Sequence, residues 1–332
     1  MSASTATGDP VVVRSLRKQY GKATAVNSLD LEIHAGEVFG LLGPNGAGKT
    51  TTIEILEGLR NRSGGEVLVL GRDPAEHQRE WRARIGVVPQ STGAFADLTV
   101  REVVTQFAAF YPAPRPVDEV ISLVGLEAKR GKRALTLSGG QRRRLDMAIG
   151  IVGDPELLFL DEPTTGLDPV ARREAWDLVK LLSERGTTTV LTTHYLEEAE
   201  VLADRVGVII GGRMVDMGPP ADLGGRSRIP AKVCFSQTGP LAGLSLPPLP
   251  TDTQVEVSAD HEVRMVARYP TAVMDALLRW AHASGVREIP GLSIHRPTLE
   301  EIYLDLIRKH GQGRMDPVDE IGQLDQMEAS RS

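Results

Sequence analysis

The segment GPNGAGKTT at 43–51 constrains the fold of this chain more than any other part of the sequence. It is a complete G-x-x-x-x-G-K-[ST] pattern, and it stands between the apolar run VFGLL and the helical run TTIEIL. Glycines at these positions let backbone N–H groups curl around a phosphate, and the start of the next helix adds its positive dipole. The segment therefore predicts a phosphate-binding loop between a strand and a helix, and an ordinary glycine-rich turn is the alternative.

The residue types in this loop indicate how it would hold a nucleotide. Lys49 can reach the β- and γ-phosphates, where its charge would also serve catalysis, and the Thr50 hydroxyl can coordinate Mg²⁺. Backbone N–H groups of the glycine-rich stretch complete the phosphate contacts. The predicted nucleotide-binding residues of this segment are Gly43, Pro44, Asn45, Gly46, Ala47, Gly48, Lys49, Thr50 and Thr51.

An acidic pair follows a second apolar run, in LLFLDEP at 157–163. A buried strand that ends in Asp161 places a carboxylate at the carboxyl edge of a parallel sheet, where ligands bind in such folds. Asp161 is predicted to hold Mg²⁺ through water, and Glu162 to polarise the attacking water as a general base. Alone, such a pair would be interpreted as a solvated loop. Together with the phosphate-binding loop it predicts nucleotide hydrolysis.

The segment TLSGGQRRRLDMAIG at 136–150 predicts a helix that begins just after Ser138, its N-cap. A helix start of this kind is itself an anion site, so one chain carries two phosphate-binding helix starts. Arg142–Arg144 are predicted to form a solvated face of this helix, with a contact role as the alternative. The predicted buried stripe consists of Leu145, Ala148, Ile149 and Val152.

The pattern along the chain predicts two domains between two polar ends. Residues 1–10 are predicted to be a flexible leader. Over 11–220, short buried strands such as LLFL and TTTVLTT alternate with helices, which predicts an α/β domain with a largely parallel sheet. After a Gly- and Pro-rich break, 230–310 is predicted to be a small α+β domain that includes a strand over VREIPGLSIH. Residues 311–332 are predicted to be a disordered acidic tail.

Composition excludes several classes of protein. Lys and Arg number 38 against 44 Asp and Glu, and a net charge of −6 argues against a general nucleic-acid binder. A single cysteine, Cys234, allows neither an intrachain disulfide nor a zinc cluster of cysteines. No apolar run approaches the ~20 residues that span a bilayer, and the N-terminus is unlike a secretory signal. We therefore expect a cytosolic protein.

These motifs, in this order, resemble those of the nucleotide-binding subunits of ABC transporters over about 11–220. The resemblance implies a P-loop NTPase domain with a helical subdomain that carries the LSGGQ signature, and ATP and Mg²⁺ as cofactors. It also implies that Tyr20 in KQYG stacks on adenine, although Tyr20 alone would be interpreted as strand packing. Gln90 in VVPQ matches the glutamine that contacts Mg²⁺ and senses the membrane subunit.

The same resemblance implies a site shared between two chains. Asp168 in GLDP would lie in the loop that crosses a dimer interface, and His194 in LTTHYLEEAE would be the catalytic switch histidine. A lone histidine after a strand would otherwise be given a structural role. A second ATPase subunit, forming a homodimer through the ATP sites, is therefore expected. The residues that would bind the γ-phosphate of ATP held by the partner are Ser138, Gly139, Gly140 and Gln141.

Three further features resemble the type-2 exporters of the drug-resistance kind: TTGL before Asp168, RRRLD after the signature, and RPTLEEIYLDL at 296–306. This resemblance implies an ATPase subunit at the cytoplasmic face of the membrane. It would drive efflux of a drug-like or lipophilic substrate through a separate membrane-spanning permease. The segment 90–111 is the candidate docking surface, with packing inside the helical lobe as the alternative.

Two other functions use the same hydrolytic site. An ABC importer ATPase is the first alternative, because importers and exporters share these motifs. A non-transport ABC ATPase acting on DNA or ribosomes is the second. It is disfavoured because the chain lacks a long coiled-coil insertion, zinc cysteines and a second ATPase unit, and because it is acidic. No nucleic-acid partner is expected, and the C-terminal domain is expected to serve assembly.

Overall fold

The computed structural model describes residues 8–89, 95, 97–258 and 260–311. The strands are β1 (Val11–Tyr20), β2 (Ala23–Ile33), β3 (Val38–Leu42), β4 (Gly64–Val69), β5 (Ile85–Val88), β6 (Leu157–Asp161), β7 (Thr188–Thr192), β8 (Arg205–Ile210), β9 (Arg213–Gly218), β10 (Ala231–Ser236), β11 (Gln254–Val257), β12 (Glu262–Ala267) and β13 (Ser293–His295). The helices are α1 (Lys49–Leu56), α2 (Arg79–Arg82), α3 (Val100–Ala108), α4 (Val117–Leu123), α5 (Gly139–Ile151), α6 (Pro169–Glu184), α7 (Leu196–Leu202), α8 (Pro270–Ala283) and α9 (Leu299–Gly311).

The described chain divides into two compact units. The first comprises the residues up to Pro220 together with those from Leu306 onward, and the second comprises Ala221–Asp305. Most of the predicted leader and all but the first residue of the predicted tail lie outside the described residues. Within the described residues, no helix combines the length and the hydrophobicity that crossing a bilayer requires.

A six-stranded sheet organises the first unit, in the order β5-β6-β7-β3-β8-β9. The first five strands are parallel, and β9 returns antiparallel to β8. Every residue of β3 and β7 is buried, as expected for parallel strands covered on both faces. The predicted α/β fold with a largely parallel sheet is confirmed, and its parallel strands end at one common edge.

The two faces of this sheet pack against different layers. On one face, an antiparallel sheet of order β2-β1-β4 shares a core with α1, built from residues such as Leu31, Leu56 and Phe159. On the other face, α3, α4, α5 and α6 share a second core with β6 and β7. This layer reaches the acidic pair, because Arg143 of α5 donates hydrogen bonds to the carbonyls of Asp161 and Glu162.

Helix α5 is buried on more sides than the sequence predicts. Its predicted stripe of four apolar residues is buried, but so are Arg143, Asp146 and Met147 on the other sides of the helix. The prediction that Arg142–Arg144 form a solvated face is wrong for Arg143, whose side chain is enclosed. Arg142 is exposed, and Arg144 is half-buried in an ion pair with Glu174.

The second unit packs α8 on an antiparallel sheet of order β11-β12-β10-β13. The predicted strand over VREIPGLSIH is shorter than expected, because only Ser293–His295 pairs with β10. Pro290 has no N–H to donate, and Gly291 adopts a left-handed φ of 65°. The chain turns there, and the Pro290 carbonyl accepts a hydrogen bond from the Ser236 N–H at 2.8 Å.

Candidate functional site

The register of three parallel strands brings the predicted site residues to one edge of the large sheet. Leu41 of β3 pairs with Thr192 of β7, and Thr192 pairs in turn with Asp161 of β6. The three strands therefore end level with one another. The loop 43–48 continues from β3, the acidic pair completes β6, and His194 follows β7 by two residues.

The predicted phosphate-binding loop passes so close to the backbone of neighbouring strands that side chains do not fit at two of its glycines. Gly48 has a φ of 104°, and a Cβ on it would lie 2.5 Å from the Ala25 carbonyl oxygen. A Cβ on Gly43 would lie 2.3 Å from the Ile209 carbonyl oxygen. The loop also donates and accepts backbone hydrogen bonds, including one from the Gly212 N–H to the Ala47 carbonyl at 3.0 Å. Its shape is thus fixed by the neighbouring strands.

Replacing Gly48 with alanine is expected to destabilise the nucleotide-free protein by about 2 kcal/mol, because strain at positive φ adds to the clash with Ala25. Gly46 is a matched control, since its φ is 75° but a Cβ there would meet no atom within 4 Å. Urea unfolding of both alanine variants measures the difference. Equal losses at the two glycines would contradict the steric argument.

Lys49 begins α1 and turns back over the loop. Its Nζ donates to the carbonyl oxygens of Gly43 at 2.6 Å and Pro44 at 3.1 Å. Burial lowers the pKa of the Lys49 ammonium, and the carboxylates of Glu162 and Asp161 act against that shift. Lys49 therefore interacts both with the carbonyls of the loop and with the charges of the acidic pair.

Hydrogen bonds with Thr192 join the acidic pair to β7. The Thr192 hydroxyl donates to Asp161 Oδ1, and the Glu162 N–H donates to the Thr192 carbonyl at 3.0 Å. Glu162 itself has a left-handed φ of 45°, an uncommon conformation for a residue with a side chain. Such strain is found where the surroundings determine the backbone, often at functional sites. Sequence reasoning did not single out Thr192.

His194 lies against the carboxylate of Glu162. Its Nδ1 is 3.2 Å from Glu162 Oε1, and the Thr165 hydroxyl donates to Glu162 Oε2 at 3.1 Å. The imidazole also stacks on the ring of Tyr195, with 4.1 Å between centroids, and about half of the His194 side chain is exposed. Glu162 is thereby oriented from both oxygens while His194 keeps an open side.

The start of α5 lies beside the start of α6. Ser138 and Gln141 form a reciprocal capping box, in which the Ser138 oxygen accepts from the Gln141 N–H at 3.3 Å. Asp168 caps α6 by accepting from the N–H groups of residues 170 and 171, both at 3.0 Å. A Cβ on Gly140 would lie 3.1 Å from Ala171 Cβ. Within the described residues, no hydrogen bond joins Ser138 or Asp168 to the phosphate-binding loop.

The remaining predicted residues are Tyr20 and Gln90. Tyr20 ends β1 with 42% of its surface exposed, and its ring faces Lys18 Nζ at 4.9 Å and Arg60 Cζ at 5.4 Å. Tyr20 is therefore partly open to solvent at the end of its strand. Gln90 and part of the predicted docking segment 90–111 lie outside the described residues.

Glu57, at the end of α1, is a buried carboxyl that sequence reasoning missed. Burial, with the negative charges of Asp161 and Glu54, raises the pKa of Glu57 from 4.5 to about 8. The folded protein therefore holds a proton there between pH 4.5 and pH 8 that the unfolded chain releases. The pattern of apolar residues along α1 does not reveal this group, because the sequence alone does not show that the position of Glu57 is buried.

The free energy of unfolding is expected to fall as the pH rises towards 8, because the raised pKa of Glu57 stabilises the fold only while the group is protonated. Wild type should lose about 2 kcal/mol more of its free energy of unfolding than Glu57→Gln does between pH 6 and pH 8.5. Urea unfolding at both pH values measures this difference, with the exposed Glu66→Gln as control. Parallel pH profiles for wild type and Glu57→Gln would refute the assignment.

Comparison with known proteins identifies relatives of the chain. Residues 26–165 match the family model described as ABC transporter. The chain is 40% identical to a Nod factor export ATP-binding protein I of Cupriavidus pinatubonensis, over 89% of both chains. It is 38% identical to the daunorubicin resistance ATP-binding protein DrrA3 of Streptomyces coeruleorubidus, over 89% of this chain and 95% of that one.

Among solved structures, the chain is similar to cbiO1 from Clostridium perfringens, described as part of the ABC transporter complex cbiONQ. The similarity has a TM-score of 0.57 at 28% sequence identity, and it covers 65% of this chain and 90% of that one.

Proposed function

The chain belongs to the ABC transporter family as an ATP-binding subunit, and from this membership we propose that it hydrolyses ATP to drive an exporter. One observation carries the proposal. The phosphate-binding loop, the acidic pair and His194 meet at one sheet edge, and Lys49 interacts with both the loop and the two carboxylates. This arrangement can bind a triphosphate, neutralise its charge and activate a water molecule.

Each of these residues has a distinct part in the proposed hydrolysis. The loop N–H groups and the Lys49 ammonium bind the phosphates, and Tyr20 offers an exposed ring to the base. Glu162 accepts the proton of the attacking water as its oxygen approaches the γ-phosphorus. His194, at 3.2 Å from Glu162, fixes the orientation of that carboxylate.

The residues at the sheet edge fit Mg²⁺ as the cofactor. Asp161 and Thr50 offer hard oxygen donors, and Gln90 is the third proposed contact. No cluster of three or more carboxylate, histidine or cysteine side chains forms a metal cage in the described residues. In nucleotide sites Mg²⁺ usually keeps several waters and is held by few protein oxygens together with the phosphates. When bound, the ion would neutralise charge on the β- and γ-phosphates.

We also propose that two chains complete each site. Gly139 and Gly140 follow the Ser138 cap, so the start of α5 is a second anion-binding helix start. It is not hydrogen-bonded to the phosphate-binding loop of its own chain in the described residues. A second copy related by a two-fold axis could bring it to that copy's γ-phosphate, with Asp168 beside it at the interface.

ATP-binding subunits of transporters work with membrane components. The proposed partner here is a separate membrane-spanning permease, bound at the cytoplasmic face of the membrane near the segment 90–111. Export is proposed because two relatives are named for Nod factor export and daunorubicin resistance. The proposed cargo is accordingly drug-like or lipophilic. An importer would use the same hydrolytic residues and remains the alternative function.

The proposal is tested by two measurements. The purified full-length chain should release phosphate from ATP in the presence of Mg²⁺, and chelation with EDTA should abolish the release. Inside-out membrane vesicles that contain the chain and its membrane subunit should accumulate a lipophilic dye only when ATP is added. A folded chain that neither binds nor hydrolyses ATP would refute the ATPase function. ATP-driven loss of dye from these vesicles would instead favour an importer.

A further inference from the structure

Arg143, on the second turn of α5, is an enclosed guanidinium that the proposed mechanism does not use. It is only 6% exposed. Removing a cation from water costs several kcal/mol unless hydrogen bonds and opposite charges replace the lost hydration. Burial lowers the pKa of Arg143, and the carboxylates of Asp146 and Asp161 act against that shift. The surroundings of this buried cation must therefore stabilise it.

Four hydrogen bonds from this guanidinium are donated to backbone carbonyls. Its Nε donates to Pro163 at 2.9 Å, and its Nη2 donates to Asp161 at 2.7 Å and to Glu162 at 3.2 Å. Its Nη1 donates to Pro89, the residue just before Gln90. One planar group thus joins three consecutive carbonyls of the acidic-pair segment to the segment that leads into Gln90.

These contacts act on the backbone where it is most strained. Glu162 has the left-handed φ of 45°, a conformation that is unfavourable for a residue with a side chain. The Thr192 carbonyl holds the Glu162 N–H from the β7 side. Arg143 holds the carbonyls on both sides of this residue from the helical side. The backbone that directs the Glu162 side chain is therefore held by hydrogen bonds from two sides, from Thr192 of β7 and from Arg143 of α5.

We propose that Arg143 is a positioning residue that fixes the catalytic carboxylate of Glu162 from the helix that begins at Ser138. This inference rests on the proposed ATPase function. It adds a physical link between the start of α5, proposed to meet the partner's γ-phosphate, and the residue proposed to activate water. A lysine cannot replace this arginine, because a single ammonium cannot donate at once to the carbonyls of Pro163, Asp161 and Pro89, which lie in different directions from the guanidinium.

The test compares Arg143→Lys and Arg143→Gln with Arg144→Lys in the full-length chain. Arg144 lies on the same helix, but it pairs with the Glu174 carboxylate, which a lysine can still reach. Measurements are affinity for the fluorescent analogue MANT-ATP, kcat and KM for ATP hydrolysis, and the unfolding midpoint. We expect kcat to fall at least 10-fold in both Arg143 variants, with affinity and KM within 2-fold of wild type. Arg144→Lys should resemble wild type.

A second comparison separates positioning from general stability. Because Arg143 acts through Glu162, Arg143→Lys should lower kcat far less in a Glu162→Asp background than in wild type. Unchanged kcat, a raised KM, the same fold loss in both backgrounds, or activity loss explained by unfolding would each overturn the inference. Absence of ATP binding and hydrolysis in the wild-type chain would instead refute the proposed function itself.

Discussion

Lys49→Ala is expected to lower the rate of ATP hydrolysis by at least about 100-fold. The ammonium donates to carbonyls of the phosphate-binding loop and interacts with the carboxylates of Asp161 and Glu162, and burial strengthens these interactions. Alanine removes the charge that would oppose the γ-phosphate in the transition state. It also leaves the two carboxylates to repel the nucleotide. ATP affinity should therefore fall as well, by about 10-fold.

The measurement is phosphate release by the purified chain, with and without its membrane subunit. Lys180→Ala is the control, because Lys180 is an exposed lysine of α6. Both proteins should unfold at similar urea concentrations, since Lys49 makes hydrogen bonds only to loop carbonyls among the contacts described. Wild-type turnover by a folded Lys49→Ala protein would show that the loop is not the hydrolytic site.

Glu162→Gln is expected to abolish hydrolysis and to trap two chains together around ATP. Glutamine keeps the shape of the side chain and can still contact His194, but it cannot accept the proton of the attacking water. ATP would then remain between the two chains and hold them. In the presence of ATP and Mg²⁺, the variant should shift towards dimer on a sizing column, while its rate falls by at least about 100-fold.

The trapped dimer provides a test of the shared site. Adding Ser138→Arg should abolish the shift, because a bulky side chain blocks the start of α5. Binding of MANT-ATP to the monomer should stay close to wild type, because the loop 43–51 is unchanged. A dimer that survives this second substitution would refute the shared-site model. So would hydrolysis whose specific rate is constant on dilution to a verified monomer.

The strand-and-loop pattern of the sequence predicts that Lys49, Asp161, Glu162 and His194 lie near one edge of the sheet. Asp161, Glu162 and His194 come at the ends of apolar runs, and Lys49 follows VFGLL after the loop 43–48. Parallel strands bring such positions to a common edge. The helical layer, the central sheet and the split near Pro220 follow from the same kind of local pattern. Local sequence is sufficient to predict the position of a residue when that position is set by the strand or helix in which the residue lies or which it adjoins.

The residues that support this chemistry could not be predicted in that way. Arg143 contacts carbonyls that are 18 to 54 positions away along the chain, and Thr192 reaches Asp161 across 31 positions. Three consecutive arginines on a helix suggest a solvated face, and only the tertiary path of the acidic-pair segment distinguishes the middle one. Glu57 was missed for a related reason, because its environment is built by residues from several elements.

The capping box at the start of α5 has a consequence for the speed of assembly. Because Ser138 and Gln141 satisfy each other within one chain, this helix start is ordered before a second chain arrives. The loss of conformational entropy on ordering these residues then belongs to folding rather than to association. Preformed surfaces of this kind meet without a slow folding step. The association rate of ATP-loaded chains should accordingly be governed by collision and orientation, and the lifetime of the dimer by hydrolysis.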